Sequence, residues 1–306
     1  MALSGRLIRS RIKSVKNTKK ITKAMELVSA AKMRRSVGAA LQSRQYAKYA
    51  WNLLLRLQSS AEGRAQVAVH PLLVERPVKK VLVIAVTSNR GLAGAFNSNV
   101  IKKAVEQIKN PLLTDAELDF VIVGKRGESA IRKYTKRIVA SFIDISDVPK
   151  YADAQALISL AMDSYSSGTY DKVVVVYTDY VSALVQKPKV RQILPVSEVE
   201  LEAALEMAAG SSREVESKQV PNEPIFEPSI NEIITAAVTR LIESQVYQAI
   251  LESSASEHSS RMMAMRQATD AATEMIDTLT LVFNQARQAS ITREISEISA
   301  GKAALE

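Results

Sequence analysis

Along the last quarter of the chain, apolar positions recur at helical spacing and nothing interrupts them. There is no proline after Pro228, and Gly301 is the only glycine. A breaker-free run of roughly seventy residues predicts one helix on the order of 100 Å long, at about 1.5 Å per residue. Ala272, Ile276, Leu279, Phe283 and Ala286 alternate in steps of four and three, the seam of a coiled coil. Nearer its start, Ile230, Ile233, Ile234, Ala237 and Leu241 make a wider stripe. Ala249, Ala255, Ala264, Ala268 and Ala272 leave room for a second backbone to approach. The beginning of the chain supplies a partner. Leu7, Ile8, Ile12 and Val15 form one helical stripe and Ile21, Met25 and Val28 another, and from Ala2 to Leu57 there is no proline. The expectation is a long antiparallel coiled coil of residues 1–58 with 229–306.

Between the two ends the period changes. Val81 to Val86 is a near-continuous apolar run, as in a strand buried on both faces, and Phe120–Val123 and Lys172–Tyr177 repeat the pattern. Ile138–Ile143 reads as a third strand and Val190–Leu194, between Pro188 and Pro195, as an edge strand. Helical spacing returns at Ala93–Lys109, Glu128–Tyr134 and Tyr151–Tyr165. Strands alternating with helices predict an α/β domain, a Rossmann-like doubly wound sheet, over 78–195. Prolines and glycine mark a connection from Ser59 to Lys79. Pro221, Pro224 and Pro228 mark a linker over 196–228, with room for a short helix at Glu198–Ala208.

Charge changes the picture of the ends. Arg6 to Arg56 holds fourteen lysines and arginines against one acid, Glu26, while acids outnumber bases from Arg213 onward. The two helices are electrically opposite, which favours their pairing and leaves the first with excess positive charge. Overall the 306 residues carry a net charge of +9, and 47% are hydrophobic, enough for a real core. There is no cysteine, so disulfides, thiol catalysis and thiol redox switching are excluded, and two histidines give a histidine-rich metal site little to draw on. No apolar stretch is long enough to span a bilayer, and the basic N-terminus lacks a signal-peptide core.

Candidate chemistry is thin. Thr87-Ser88-Asn89-Arg90-Gly91-Leu92-Ala93-Gly94 joins a strand to a helix, where α/β folds bind phosphate, but has neither Gly-x-Gly-x-x-Gly nor Gly-Lys-Ser/Thr. A tight turn is the plainer reading, with a nucleotide-binding α/β enzyme carrying a helical appendage as the alternative. Asp144, Asp147 and Asp153 read as cap and turn residues rather than metal ligands. Lys13, Lys16, Lys19, Lys20 and Lys23 have the charge to track nucleic-acid phosphates, but no aromatic interleaves them before Tyr46 and no recognition module accompanies them.

Four blocks carry a resemblance across essentially the whole chain. Arg11 to Val28 resembles the N-terminal helix of the gamma subunit of F-type ATP synthase, and Ser88 to Asn97 is similar to that family's turn after the first strand. Ala255 to Met262 and Arg287 to Ile295 resemble its two C-terminal blocks. The ending follows the family signature Ile291-Thr292-x-Glu294-x-x-Glu297-x-x-x-Gly301 and departs from it at Lys302. The resemblance implies a non-catalytic central rotor shaft, one copy per complex. The implied partners are the alpha and beta subunits, epsilon and the c ring, with no cofactor, no nucleic acid and no small-molecule substrate. Proton flow turns the c ring and the shaft with it, coupling proton transport to ATP synthesis or hydrolysis. An asymmetric shaft is required, because a rotor shifts each site only by its differential contact energy with that site's states.

Residue roles follow from the matching blocks. Met25 is expected near the moving part of beta, and it also reads as a core residue of the Ile21–Val28 stripe. Arg261, Gln288, Thr292 and Glu294 correspond to polar positions that engage the alpha/beta ring; taken alone they would simply face water. Glu227 matches a foot position near the c ring, or is an acid favoured by a helix N-terminus. A bacterial-type subunit, peripheral on the cytoplasmic face of the cell membrane and without a redox switch, is the simplest expectation.

Overall fold

The computed structural model describes residues 5–59, 70–109, 116–196 and 229–303; the expected helix at Glu198–Ala208 and most of the 196–228 linker lie outside them. The elements are α1 (Gly5–Ser59), β1 (Lys80–Val86), α2 (Phe96–Ile108), β2 (Glu117–Val123), α3 (Lys125–Ile131), β3 (Ile138–Phe142), α4 (Tyr151–Ser166), β4 (Lys172–Tyr180), β5 (Gln186–Leu194) and α5 (Ile230–Ala303). They form two compact units: Ala31–Ser260, and Met1–Ala30 with Arg261–Glu306.

In the larger unit one sheet runs in the order β3-β2-β1-β4-β5. β1 pairs in parallel with β2 and β4, β2 with β3 likewise, and β5 is antiparallel to β4. The apolar runs are continuous because both faces are covered. Leu82, Ile84, Val86, Val173, Val175 and Tyr177 point to one face and meet Ala154, Leu157 and Ile158 of α4 and Ile234, Val238, Leu241 and Ile242 of α5. Val81, Val83, Ala85, Val174 and Val176 point to the other and meet Val100 and Ala104 of α2 and Ile131 of α3. The first half of α5 is therefore part of the sheet's core. Its wide stripe at Ile234, Ala237 and Leu241 faces strands rather than a helix, which explains why it is wider than a coiled-coil seam.

β5 begins at Gln186, ahead of the expected Val190, and takes in Pro188, which stands opposite Thr178. An edge strand tolerates the missing amide.

In the smaller unit the chain ends pair. The Thr22 and Thr269 hydroxyls meet at 2.8 Å, and the Arg9 guanidinium lies 5.3 Å from the centre of the Phe283 ring. Advancing from Arg9 to Thr22 on α1 moves back from Phe283 to Thr269 on α5, so the pair is antiparallel. On α5 the seam is the expected one: Ala272 is buried and Ile276, Leu279, Phe283 and Ala286 are half-buried, while the residues between them, Thr273 apart, are exposed. On α1 it is not. Ile8, Ile12 and Val15 are covered, but Ile21 and Val28 are 61% and 53% exposed while Thr22 and Ser29 are buried. The steps of four and three begun at Ile8 continue through Lys19, Thr22, Glu26 and Ser29, so the seam passes through polar positions. Short hydroxyl residues there let the backbones approach and satisfy one another.

Candidate functional site: a basic groove, an exposed helix end and a filled crevice

The smaller unit presents two surfaces. α1 and Ile276 of α5 enclose an open groove of about 970 Å³. Ile12, Ala24, Leu27 and Ile276 supply its apolar floor, and Arg9, Lys13, Lys16, Lys19, Lys20 and Lys23 its walls. Lys23 pairs with Glu26 at 3.0 Å, whereas Lys13, Lys16, Lys19 and Lys20 have no acid partner among the described residues. α1 carries these cations on successive turns because lysine and arginine cost a helix little. The exposed Leu27 and Val28 lie beside them. This is a surface for a partner with an apolar ridge and negative charge.

The second surface is the end of α5. From Arg287 to Gly301 every residue is exposed. Gln288 and Thr292 stand one turn apart, joined by the Thr292 hydroxyl donating to the Gln288 carbonyl at 3.0 Å. Glu294 accepts from Ser290 at 3.3 Å. Of the other candidates, Met25 is half-buried at the helix pair, and Arg261 is buried within the chain, only 6% exposed. Glu227 lies outside the described residues. The expected contact residues thus divide among an exposed end, a half-covered position beside the seam and an interior cation.

The larger unit holds a crevice at the carboxyl ends of β1 and β2, the end of the sheet at which α/β folds bind ligands. Here it is filled by the chain itself. The Thr87 hydroxyl donates to the Val123 carbonyl at 2.6 Å and accepts from the Gly127 amide at 2.9 Å. Asn97 Oδ1 accepts from the Ser88 amide at 3.0 Å, and Asn89 Oδ1 from the Lys125 amide at 3.1 Å. Ser253, Ser254 and Glu257 of α5 close the other side, leaving about 40 Å³. That is room for water only, since small-molecule sites start near 300 Å³. The Thr87–Gly94 stretch is a tight turn, with Leu92 at φ 60° and Gly94 at φ 53°.

Two of the three scattered aspartates hold structure. Asp153 accepts from the Lys150 amide at 3.0 Å and the Ser146 hydroxyl at 2.5 Å, which hold its carboxyl below the usual range. Asp147 is held low by Lys32, whose ammonium it binds directly. Its backbone carbonyl accepts from Ser254 at 2.9 Å and meets His258 Nε2 at 2.7 Å. Sequence reasoning missed the group at the next turns of the helices. Glu252, 1% exposed on α5, accepts from Arg44 of α1 at 2.8 Å and from Gln248 at 2.7 Å. Burial, with the Glu252 charge adding to it, pushes the Tyr177 hydroxyl of β4 far above an ordinary phenol. A lone Glu among serines gives no signal of burial in the sequence; only the oppositely charged Arg44 hints at it.

Comparison with known proteins matches the chain along nearly its whole length. The family described as ATP synthase matches residues 4–305. The ATP synthase gamma chain of Pelotomaculum thermopropionicum is 43% identical over 303 residues, 99% of each chain. That of Herpetosiphon aurantiacus is 43% identical over 310 residues, again 99% of each. Among solved structures, a chain of the Euglena gracilis mitochondrial ATP synthase OSCP/F1/c-ring assembly is similar with a TM-score of 0.65 at 18% identity, covering 99% of this chain and 94% of that one. A chain of the Tetrahymena thermophila mitochondrial ATP synthase central stalk and c ring gives 0.55 at 24% identity, covering 81% of this chain and 99% of that one. The two structures bear out the fold.

Proposed function

The chain belongs to the ATP synthase family as a gamma chain, and from that premise we propose how it works as the central shaft of an F-type ATP synthase. It is a non-catalytic subunit: ATP is made or hydrolysed in the alpha and beta subunits, and the shaft couples their sites to a proton-driven c ring. One copy stands within three alpha and three beta subunits, with epsilon and the c ring at its foot. Residues 1–58 and 229–306 serve as the shaft, 78–195 as the α/β domain and 196–228 as the linker. The observation that carries the reading is the antiparallel pairing of the two chain ends, in a chain whose match to gamma chains runs end to end.

Each part has a physical task. The basic groove meets acidic surfaces of beta; Gln288, Thr292 and Glu294 on the bare end of α5 contact the alpha/beta ring; Met25 serves the same ring directly, Arg261 from within the chain by holding α5, and Glu227 the foot. Rotation presents these chemically unlike faces to each beta subunit in turn, and their different contact energies shift the nucleotide affinity of each site. No described helix is long and apolar enough to cross a membrane, which fits a peripheral subunit, here on the cytoplasmic face of a bacterial cell membrane.

Co-expression with alpha and beta subunits and purification through a tag on this chain tests the reading. The expected result is one copy with three of each. A stable monomer that ignores both would sink it.

A further inference from the structure

In the Ala31–Ser260 unit, α1 and α5 touch through a run of small residues. Ser36 and Ala40 of α1 and Ser254 of α5 are buried there, while Ser253 and Ser256 turn to the Val86 and Thr178 carbonyls of the sheet. Ser36 donates to Ser254 at 2.9 Å, and Ser254 passes its own proton to the Asp147 carbonyl. Small side chains let backbones approach but choose poorly among alignments. Slid by one turn, Ser254 would lose one hydroxyl contact, and the partly exposed Lys32–Asp147 pair opposes the move only weakly.

Glu252 breaks that degeneracy. Its Oε1 takes both Arg44 Nη2 and Gln248 Nε2, while its Oε2 is buried with no hydrogen-bond partner. A carboxylate so placed tolerates no alignment that removes its cation. The pair is a poor source of net stability, because apolar residues of similar volume replace buried ion pairs at little or no cost. What such a pair supplies is a choice among registers, as a buried polar residue does in a coiled coil. We infer that the Arg44–Glu252 pair is a positioning pair that sets the axial register of α1 on α5. Its consequence for coupling rests on the shaft reading; the register itself does not.

The chain has no cysteine, so introduced pairs report cleanly. Ser36→Cys with Ser254→Cys reports the observed register. Lys32→Cys with Ser254→Cys reports the slide of one turn that draws Arg44 away from Glu252, roughly 6 Å along the axis and beyond the reach of a disulfide in the observed register. In the full parent chain, oxidation should close the first pair and not the second. In the Glu252→Met background, where half-exposed Arg44 is free to turn to water, the second pair should close with a yield within about threefold of the first. Arg44→Lys in the parent chain, which keeps the charge pair with Glu252, should retain the parental pattern. Should Glu252→Met fail to fold, Arg44→Met with Glu252→Met is read in the same way. A second pair that stays open in a folded variant of either kind overturns the inference. Assembly with alpha and beta plays no part in this readout, so its failure would count against the shaft reading alone.

Discussion

Gly124 shows how tightly single residues are constrained where the sheet hands over to its helices. Its backbone sits at φ +92°, and a Cβ there would lie 2.4 Å from the Thr87 carbonyl oxygen. Both the backbone and the neighbour exclude a side chain. Gly124→Ala is expected to cost about 2–4 kcal/mol, from left-handed strain plus a displaced β1 turn. The midpoint of urea unfolding measures it, and an unchanged midpoint would show that the turn relaxes freely. The seam residues follow a looser rule. Thr22, Ser29 and Ser36 are buried although polar, because Thr22 and Ser36 find hydroxyl partners across the pair at 2.8 Å and 2.9 Å. Buried hydroxyls are acceptable once paired.

Elements were legible in the sequence to different depths. β1 and β4 were plain because strands covered on both faces carry unbroken valine and isoleucine runs. The α5 seam was equally plain from Ala272 to Ala286. The α1 seam was not, because the apolar residues Ile21 and Val28 lie off it while the covered positions are Thr22, Glu26 and Ser29. Hydrophobicity marks burial in any partner, including one the isolated chain lacks, so Ile21 and Val28 drew the eye to a different face. The candidate site was legible only as a resemblance: nothing in the spacing of Gln288, Thr292 and Glu294 sets them apart from other polar residues on a helix surface. A paired substitution separates the two faces of α1 and α5. Ile276→Asp puts a charge into the seam and should cost about 1–3 kcal/mol. Val28→Lys should change the chain's stability by less than about 0.5 kcal/mol and yet weaken assembly with alpha and beta. Thermal melts and co-purification read the two effects; a large stability loss in Val28→Lys would return that residue to the seam.

For the whole molecule, charge is distributed so that approach to partners is steered. The net charge of +9 is concentrated on the first helix, where Lys13, Lys16 and Lys20 stand exposed around an apolar floor. Association with the acidic surfaces proposed for beta should slow about tenfold as salt rises from low to high ionic strength. Replacing Lys13, Lys16 and Lys20 by Gln should flatten that dependence. Stopped-flow association at several salt concentrations measures it, and a salt-independent rate would mean that the lysines do not guide the encounter.

Thr22 and Thr269 lie at opposite ends of the chain, and their contact has a consequence for biosynthesis. The first helix leaves the ribosome long before its mate exists, and it must wait, basic and half-apolar, until Thr269, 247 residues after Thr22, has been added. A chain terminated before that point would leave the first helix without its partner, so one folding step reports that everything between the two threonines has been translated.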